Sequence, residues 1–451
     1  MPNKNEQMAV RIAERVAQNG GRAFYVGGLV RDRLLGRENK DTDIEIHGIP
    51  AGKLKEILSG LGEVTVMGAS FGVFGLRHYE IDIAMPRMES ATGRGHKDFE
   101  IMTDPFLGPE KAALRRDFTM NALMEDILTG EVLDFFGGRQ DLADGIIRHV
   151  SAGTFVEDPL RVLRAAQFAA RFGFRVADET VELSKTMDLS ALPRERITGE
   201  LEKALMKAGR PSVFFEELRK MEQLRTWFPE TENLIDIPQP PSHHPEGDVW
   251  NHTMLVLNEA ARLRSAAKEP RCFMYAALVH DFGKSVTTKV IDGKIHSYEH
   301  EKEGLPVVSR FLSRLTSETA LAQYVLNMTE LHMKPNILAD QKAGKKSFMK
   351  LFDRSVCPED LLLLAKADSL GRNPAFRDYP EEDILRKMLA AYNDLMSRPQ
   401  VRGGDLIAAE IEPGPLFKDA LNYGHKLHLA GVPKECALPQ VLALIRRNAE
   451  C

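Results

Sequence analysis

A change of hydrophobic period, followed by a run of prolines, constrains the fold of this chain more than any other feature. In the first third, short strand-like runs alternate with helical spacing. From about Phe155 the β-branched runs thin out and long helical patterns take over. Ala9, Ile12, Ala13 and Val16 recur at helical spacing until Asn19-Gly20-Gly21 stops them. Residues 23–26, 43–47, 64–67, 73–76 and 79–85 read as strands, and 30–35 as a short helix closed by Gly36. A small mixed sheet with helices packed on it accounts for such a pattern. Farther on, Leu160, Leu163, Ala166, Phe168 and Ala170 share a helix that Gly173 closes, and a second helix spans about 196–207. Ile237-Pro238-Gln239-Pro240-Pro241 cannot continue a helix, so it marks the internal boundary. A His-rich helical block follows to about Arg398, then a tail whose last helix carries Val441, Leu442, Leu444 and Ile445. The expected division is 1–150, 151–236, 242–398 and 399–451, an α+β part followed by all-α parts.

Composition removes several classes. With 43% apolar and 28% charged residues the chain is neither disordered nor fibrous. Lys+Arg 60 against Asp+Glu 65 gives −5, so nucleic acid would have to meet a locally concentrated positive surface. Cys272, Cys357, Cys436 and Cys451 form no Cys-x-x-Cys pair, which argues against a zinc ribbon or disulfide framework and fits a reducing, cytoplasmic compartment. Residues 1–8 are polar, without the pattern of a secretory signal, and apolar runs such as 361–365 are too short to span a membrane.

Two constellations carry chemistry. Gly27-Gly28-Leu29-Val30-Arg31-Asp32 lies between a strand and a helix, where glycines let backbone N–H groups approach a phosphate. Asp41 and Asp43 follow two apart, on one face of a strand, with Ile44 and Ile46 behind them. Two carboxylates so placed can hold Mg²⁺ against a triphosphate, activating an attacking hydroxyl and neutralising the leaving pyrophosphate. The second constellation, His252, His280-Asp281, His300, His332 and Asp368, runs in order through the helical block. Nitrogen and oxygen ligands without thiolate suit Mn²⁺, Mg²⁺, Ni²⁺ or iron rather than structural zinc, and such a set supports attack of water on a phosphoester.

Tyr25-Val26-Gly27-Gly28-Leu29-Val30-Arg31-Asp32, Asp41-Thr42-Asp43 and Arg115-Arg116-Asp117-Phe118-Thr119-Met120-Asn121-Ala122-Leu123, in this order, closely resemble the tRNA nucleotidyltransferase and bacterial poly(A) polymerase family. This is the class II branch of the polymerase-beta-like superfamily. The resemblance continues through Asp134-Phe135-Phe136-Gly137-Gly138 and Glu157-Asp158-Pro159-Leu160-Arg161-Val162-Leu163-Arg164-Ala165, and covers at least 20–210. It implies a polymerase-beta-like nucleotidyltransferase palm followed by an all-α neck and body. Asp41 and Asp43 would be the catalytic metal ligands, with Asp82 a weaker third candidate because Glu80 shares its face. Gly28, Arg31, Arg115, Asp117, Asn121, Asp158, Arg161 and Arg164 would bind nucleotide. In that family Arg115 and Arg116 correspond to triphosphate or primer-end contacts, and Asp117 to a ribose contact or an Arg-orienting group. Asp158 and Arg161, three apart on an expected helix, match the motif that reads the base edges of ATP and CTP in place of a nucleic-acid template. The Gly-rich stretch 92–96 resembles the family's flexible loop that accompanies the switch from C to A addition.

His280-Asp281 and its partners resemble the HD phosphohydrolase family, with His252, His280, Asp281 and Asp368 the minimal metal set and His300 and His332 where binuclear members add ligands. His244-Pro245-Glu246-Gly247-Asp248-Val249-Trp250-Asn251-His252-Thr253 is similar to bacterial nucleotidyltransferases with a fused, all-α HD domain. The resemblance implies addition and repair of the tRNA 3′-terminal CCA from CTP and ATP with Mg²⁺, releasing pyrophosphate. It also implies an HD domain acting on 2′,3′-cyclic phosphates, RNA 3′ ends or 2′-nucleotides. CC-only and A-only enzymes, a poly(A) polymerase and a non-catalytic RNA- or nucleotide-binding module share much of this motif set and stay open from sequence. Against a poly(A) polymerase, the sequence shows no long basic N- or C-terminal arm, only the pairs Lys345-Lys346 and Arg446-Arg447, and residues 88–99 speak against a CC-only enzyme.

Overall fold

The computed structural model describes residues 3–39, 41–67, 73–91, 99–372 and 378–449. Packing divides the chain into two compact units, Met1–Pro229 and Glu230–Cys451.

The first unit is built on strands β1 (Arg22–Val26), β2 (Thr42–His47), β3 (Val64–Met67), β4 (Val73–Leu76), β5 (Ile81–Ala84), β6 (Arg87–Ala91), β7 (Phe99–Thr103), β8 (Met124–Asp126) and β9 (Val132–Leu133). Seven of them form one sheet in the order β3-β4-β5-β2-β1-β8-β9, while β6 and β7 pair separately. Within the large sheet only β2 and β5 run parallel, in a register that sets Asp43 opposite Asp82. The alternation of β2 and β5 decides which side faces the interior. Ile44, Ile46, Ile81 and Ile83 are buried, which turns Asp43 and Asp82 to the opposite face. The β5 strand begins at Ile81 rather than 79, because Tyr79 N donates to Leu76 O in the turn that joins antiparallel β4 and β5.

Local chemistry sets the helix ends. Helix Lys4–Gln18 starts in a capping box between Asn3 and Glu6, and buries Met8, Ala9, Ile12, Ala13 and Val16. Helix Gly28–Leu34 begins two residues earlier than its apolar spacing suggests. Gly27 permits this start: it holds φ 64° and ψ −125°, a region essentially closed to residues with a Cβ. Helix Leu160–Phe172 is closed by Gly173 in the left-handed conformation, and Arg194–Lys207 follows as the next long helix but one. The stretch 92–96 lies outside the described residues. Strands β6 and β7 flank it, paired from Arg87↔Thr103 to Ala91↔Phe99.

In the second unit five segments converge: helix Val249–Leu263, helix Pro270–Val279, helix His300–Glu303, helix Thr319–Leu331 and helix Pro358–Gly371. A hairpin, Lys289–Ile291 with Lys294–His296, interrupts the helical block. The proline-rich stretch packs into this unit instead of lying between the two: Val249 N donates to Ile237 O, and Gln239 is buried. At the C-terminal end Val401, Leu406, Ala420, Ala437, Val441 and Ile445 form a small core of their own. Among the described residues no helix is long and apolar enough to cross a membrane.

Candidate functional sites

The first unit holds a cleft of about 520 Å³ that gathers residues far apart in sequence: Gly27, Gly28, Arg31, Asp43, Arg115, Arg116, Asp117, Asn121, Asp158, Arg161 and Arg164. Ten cationic side chains line it against three carboxylates. A chain of net charge −5 thus concentrates positive charge on one concave surface, as a polyphosphate ligand requires. Asp43 reaches the cleft from β2, with Asp82 beside it in register and exposed Asp41 just before the strand. Burial, then the neighbouring charge of Asp82, raises the pKa of the Asp43 carboxyl against the opposing pull of Arg116. A divalent cation would relieve this crowding of like charge, so these residues fit such an ion. Glu45, next on the same strand face, is 1% exposed and accepts from Arg116 Nη2 at 3.2 Å and from His47 Nε2 at 2.9 Å. Despite burial, its hydrogen bond to His47 and the Arg116 charge hold the Glu45 pKa down at about 2. Glu45 anchors Arg116 beside Asp43. The alternation Asp41-x-Asp43-x-Glu45 was the available signal for it.

Behind the cationic rim runs a buried polar chain. Asp117 Oδ2 accepts from Arg164 Nε at 2.7 Å, and Asp117 Oδ1 from Asn121 Nδ2 at 2.9 Å. Asn121 Oδ1 accepts from Arg31 Nη1 at 2.6 Å, and Arg31 Nε donates to Asp32 Oδ1 at 2.8 Å. Arg31 is 4% exposed and lies 4.7 Å from the Phe172 ring centroid. Asp117 thus holds the Arg164 side chain in this geometry. Each buried charge has a partner, without which burial would cost several kcal/mol or about that order.

Asp158 and Arg161 differ from the expected arrangement. Asp158 lies two residues before helix Leu160–Phe172, not within it, and its Oδ1 accepts from Leu160 N at 3.1 Å. Its carboxylate is held by Arg196 Nη1 and Nη2 at 3.2 and 2.8 Å, not by Arg161. Arg161 instead donates to the carbonyls of Thr154 and Arg115 at 2.5 and 2.8 Å. Both still line the cleft, joined by Arg171, Arg196, Lys203 and Lys207, which sequence reasoning passed over. Their signal was cationic spacing: Arg161, Arg164 and Arg171 on one helix, and Arg196, Lys203 and Lys207 on another, recur near helical periods.

The second unit brings His252, His280, Asp281, His300, His332 and Asp368 together, all buried. His252 Nε2 lies 3.1 Å from Asp368 Oδ1 and 3.5 Å from Asp281 Oδ2, and His280 Nε2 lies 3.4 Å from Asp281 Oδ2. On the other side Asp281 Oδ1 is 3.1 Å from His300 Nε2 and 3.8 Å from His332 Nε2. The two oxygens of Asp281 therefore face two ligand sets. Both of them, with His300 Nε2 and His332 Nε2, are buried without a hydrogen-bond partner. Orphaned acceptors converging at this spacing fit one or two divalent cations. Burial, then the charges of His280 and His300, hold the His332 pKa down at about 3, leaving a neutral ring fit to ligate. Lys284 Nζ is ion-paired with Asp281 Oδ2 at 2.7 Å without hydrogen-bonding geometry, and Arg372 Nη2 bonds Asp368 Oδ2 at 3.1 Å. Gly283 packs with no room for a side chain, since a Cβ there would fall 2.0 Å from His300 O. That explains a glycine between His280-Asp281 and Lys284.

Comparison with known proteins fits these two centres. Residues 23–148 match the poly A polymerase head domain, 173–235 the probable RNA and SrmB-binding site of polymerase A, and 249–373 the HD domain. The multifunctional CCA protein of Nitrosococcus oceani is 38% identical over 392 residues, spanning 84% of this chain and 93% of that protein. The chain belongs to the multifunctional CCA protein family. Its relative from Actinobacillus pleuropneumoniae is 36% identical over 379 residues, 80% of this chain and 89% of that protein. Two solved structures share the fold. A CCA-adding enzyme in complex with ATP gives a TM-score of 0.67 at 21% identity, over 99% of this chain and 95% of that one. The Thermotoga maritima CCA-adding enzyme complexed with tRNA_CCA gives 0.65 at 20% identity, over 98% and 96%. Against this CCA-protein framework, Asp158, Arg161 and Arg164 fall between the head-domain and RNA-binding matches, and Glu246 precedes the HD match.

Proposed function

We infer that this chain adds and repairs the 3′-terminal CCA of tRNA from CTP and ATP without a nucleic-acid template, and carries a metal-dependent phosphohydrolase centre in its HD domain. The observation that carries the first part is the single basic cleft uniting Asp43, Arg115, Asp117, Asp158 and Arg164. In this reading residues 1–150 act as palm, 151–236 as neck and body, 242–398 as HD domain and 399–451 as tail. Asp41 and Asp43 hold Mg²⁺, which when bound activates the primer hydroxyl and neutralises the leaving pyrophosphate. Arg115 and Arg116 bind the triphosphate, with Arg116 fixed by Glu45. Asp117 aims Arg164 into the cleft. Gly27 and Gly28 keep side chains away from the phosphates, and Arg31 and Asn121 support Asp117 from behind.

Base choice falls to Asp158 and Arg161, with Arg196 positioning the Asp158 carboxylate. Asp158 accepts from the exocyclic amino group that cytosine and adenine share, and Arg161 donates once its fork turns from backbone to base. The test is kcat/KM for all four NTPs, on tRNA ending before the first C and on tRNA ending in CC. CTP is expected to win on the first and ATP on the second. Asp158→Ala should shrink preference over UTP and GTP by about 5- to 150-fold, the worth of ~1–3 kcal/mol of bidentate readout. Arg161→Ala should lower rate as well as preference, because it also frees the Arg115 backbone. Unchanged nucleotide ratios in both variants would remove the protein-template reading.

In the HD centre, His252, His280, Asp281 and Asp368 hold one cation, and Asp281, His300 and His332 a second, of the Mn²⁺, Ni²⁺ or Mg²⁺ kind. Such ions supply Lewis-acid activation of water and of a phosphoester. Its substrates are RNA 3′ ends, 2′,3′-cyclic phosphates or 2′-nucleotides, and the protein works in the cytoplasm.

A further inference from the structure

The four histidines of the HD centre must each present Nε2 to the interior, so each must commit its Nδ1–H elsewhere. Three do so locally. His280 donates to Ala277 O at 2.9 Å, His300 to Ser297 O at 3.0 Å and His332 to Thr329 O at 2.7 Å, each to the carbonyl three residues back. His280 and His332 stand at the ends of helices Pro270–Val279 and Thr319–Leu331, where carbonyls lack intrahelical partners. His252 has no such recourse. It lies inside helix Val249–Leu263, whose carbonyls are taken by the helix itself. Its Nδ1 meets Glu246 Oε1 at 2.8 Å, and a carboxylate can only accept. Nδ1 therefore keeps its proton toward Glu246, which leaves Nε2, 3.1 Å from Asp368 Oδ1 and 3.5 Å from Asp281 Oδ2, as the nitrogen a cation would take.

The same segment reaches the centre a second time. Gln239 Oε1 accepts from Lys284 Nζ at 2.8 Å, and Lys284 is ion-paired with Asp281. Gln239 Nε2 in turn donates to Asp248 O, and Asp248 caps the helix that carries His252. Residues 239–248 lie wholly before the stretch that matches the HD domain, 249–373.

We propose that the proline-rich segment 237–248 is an integral brace of the HD metal centre, with Glu246 the positioning residue that fixes the tautomer and aim of His252, and Gln239 the one that seats Lys284 on Asp281. This rests on the reading of the HD cluster as a two-cation site. Glu246 Oε1 is shared with His244 Nδ1, also at 2.8 Å, but of the residues in the cluster it meets His252, so its loss should affect the ligand set that contains His252 and spare the other.

The test is Mn²⁺ titration, by calorimetry and electron paramagnetic resonance, of the metal-stripped full chain carrying Asp43→Asn to silence the palm. The parent should bind two ions at the HD centre. Glu246→Ala should weaken one of them by about 10- to 100-fold, the usual effect of removing a carboxylate behind a ligating histidine. The ion at Asp281, His300 and His332 should be unaffected. Glu246→Gln, which keeps the volume and one acceptor oxygen, should fall between the parent and Glu246→Ala, and carries the test alone if the alanine variant does not fold. Parent-like dissociation constants in a folded variant would overturn the brace alone. A parent that binds no Mn²⁺ at all would overturn the metal reading and the brace with it.

Discussion

Asp43→Ala is expected to cut CTP and ATP incorporation by about 10³-fold or more, equivalent to about 4 kcal/mol of lost transition-state stabilisation, while tRNA binding stays within a few-fold. Three features of the first unit combine in this prediction. Asp43 lies in the cleft, half-buried, whereas Asp41 is exposed at the strand's start. Asp82 stands opposite Asp43 in register, so the variant leaves Asp41 and Asp82 nearby, neither of which lines the cleft. The cleft cations Arg116 and Arg164 keep their anchors, because Arg116 is held by Glu45 and Arg164 by Asp117. Single-turnover incorporation with Mg²⁺, beside filter binding of tRNA, measures both quantities. Near-native incorporation by a folded Asp43→Ala chain would show that the metal pair has been placed wrongly.

In the second unit the largest effect should come from Asp281→Ala. Its two oxygens face different ligand sets, His252 and His280 on one side and His300 and His332 on the other. Removing it should drop the bound Mn²⁺ from two ions to none and abolish hydrolysis of a 2′,3′-cyclic phosphate, a loss of about 10³-fold or more. Lys284, 8% exposed, would lose its partner carboxylate. A buried charge left unpaired costs about 3–5 kcal/mol, so the melting transition of the second unit should fall too. Nucleotide addition should persist, since all the residues assigned to it belong to Met1–Pro229. Metal analysis, a hydrolysis assay and CTP addition on one preparation separate these outcomes. Retention of both ions would contradict the bridging role.

What the sequence made visible was local, and what it hid was paired at a distance. The helix Lys4–Gln18 and strands β3 and β4 follow directly from spacing, because burial of one face is a property of a single segment. The face shared by Asp41 and Asp43 follows from the two-residue period of a strand. The Asp43–Asp82 pairing depends on β2 and β5 meeting in parallel, which no window of either strand contains. The spacing of Asp158 and Arg161 alone predicts one helix carrying both. The structure gives Asp158 to Arg196, 38 residues away, and turns Arg161 to backbone carbonyls. In the sequence Glu246 is one residue of a longer motif, with nothing that singles it out. Its contact with His252 is visible once the proline-rich segment is seen folded into the second unit. Residues that hold other residues leave no periodic trace, whereas residues that line a face do.

The central claim is that one protein cleft writes a defined three-nucleotide end. The direct measurement is the mass of the 3′-terminal fragment made by the full chain on tRNA ending at the discriminator base, with all four NTPs and Mg²⁺ present. The cleft and the family predict a single product longer by C, C and A, with no further extension. A product stopping after two nucleotides, a single added A, or a ladder of A residues would contradict the claim.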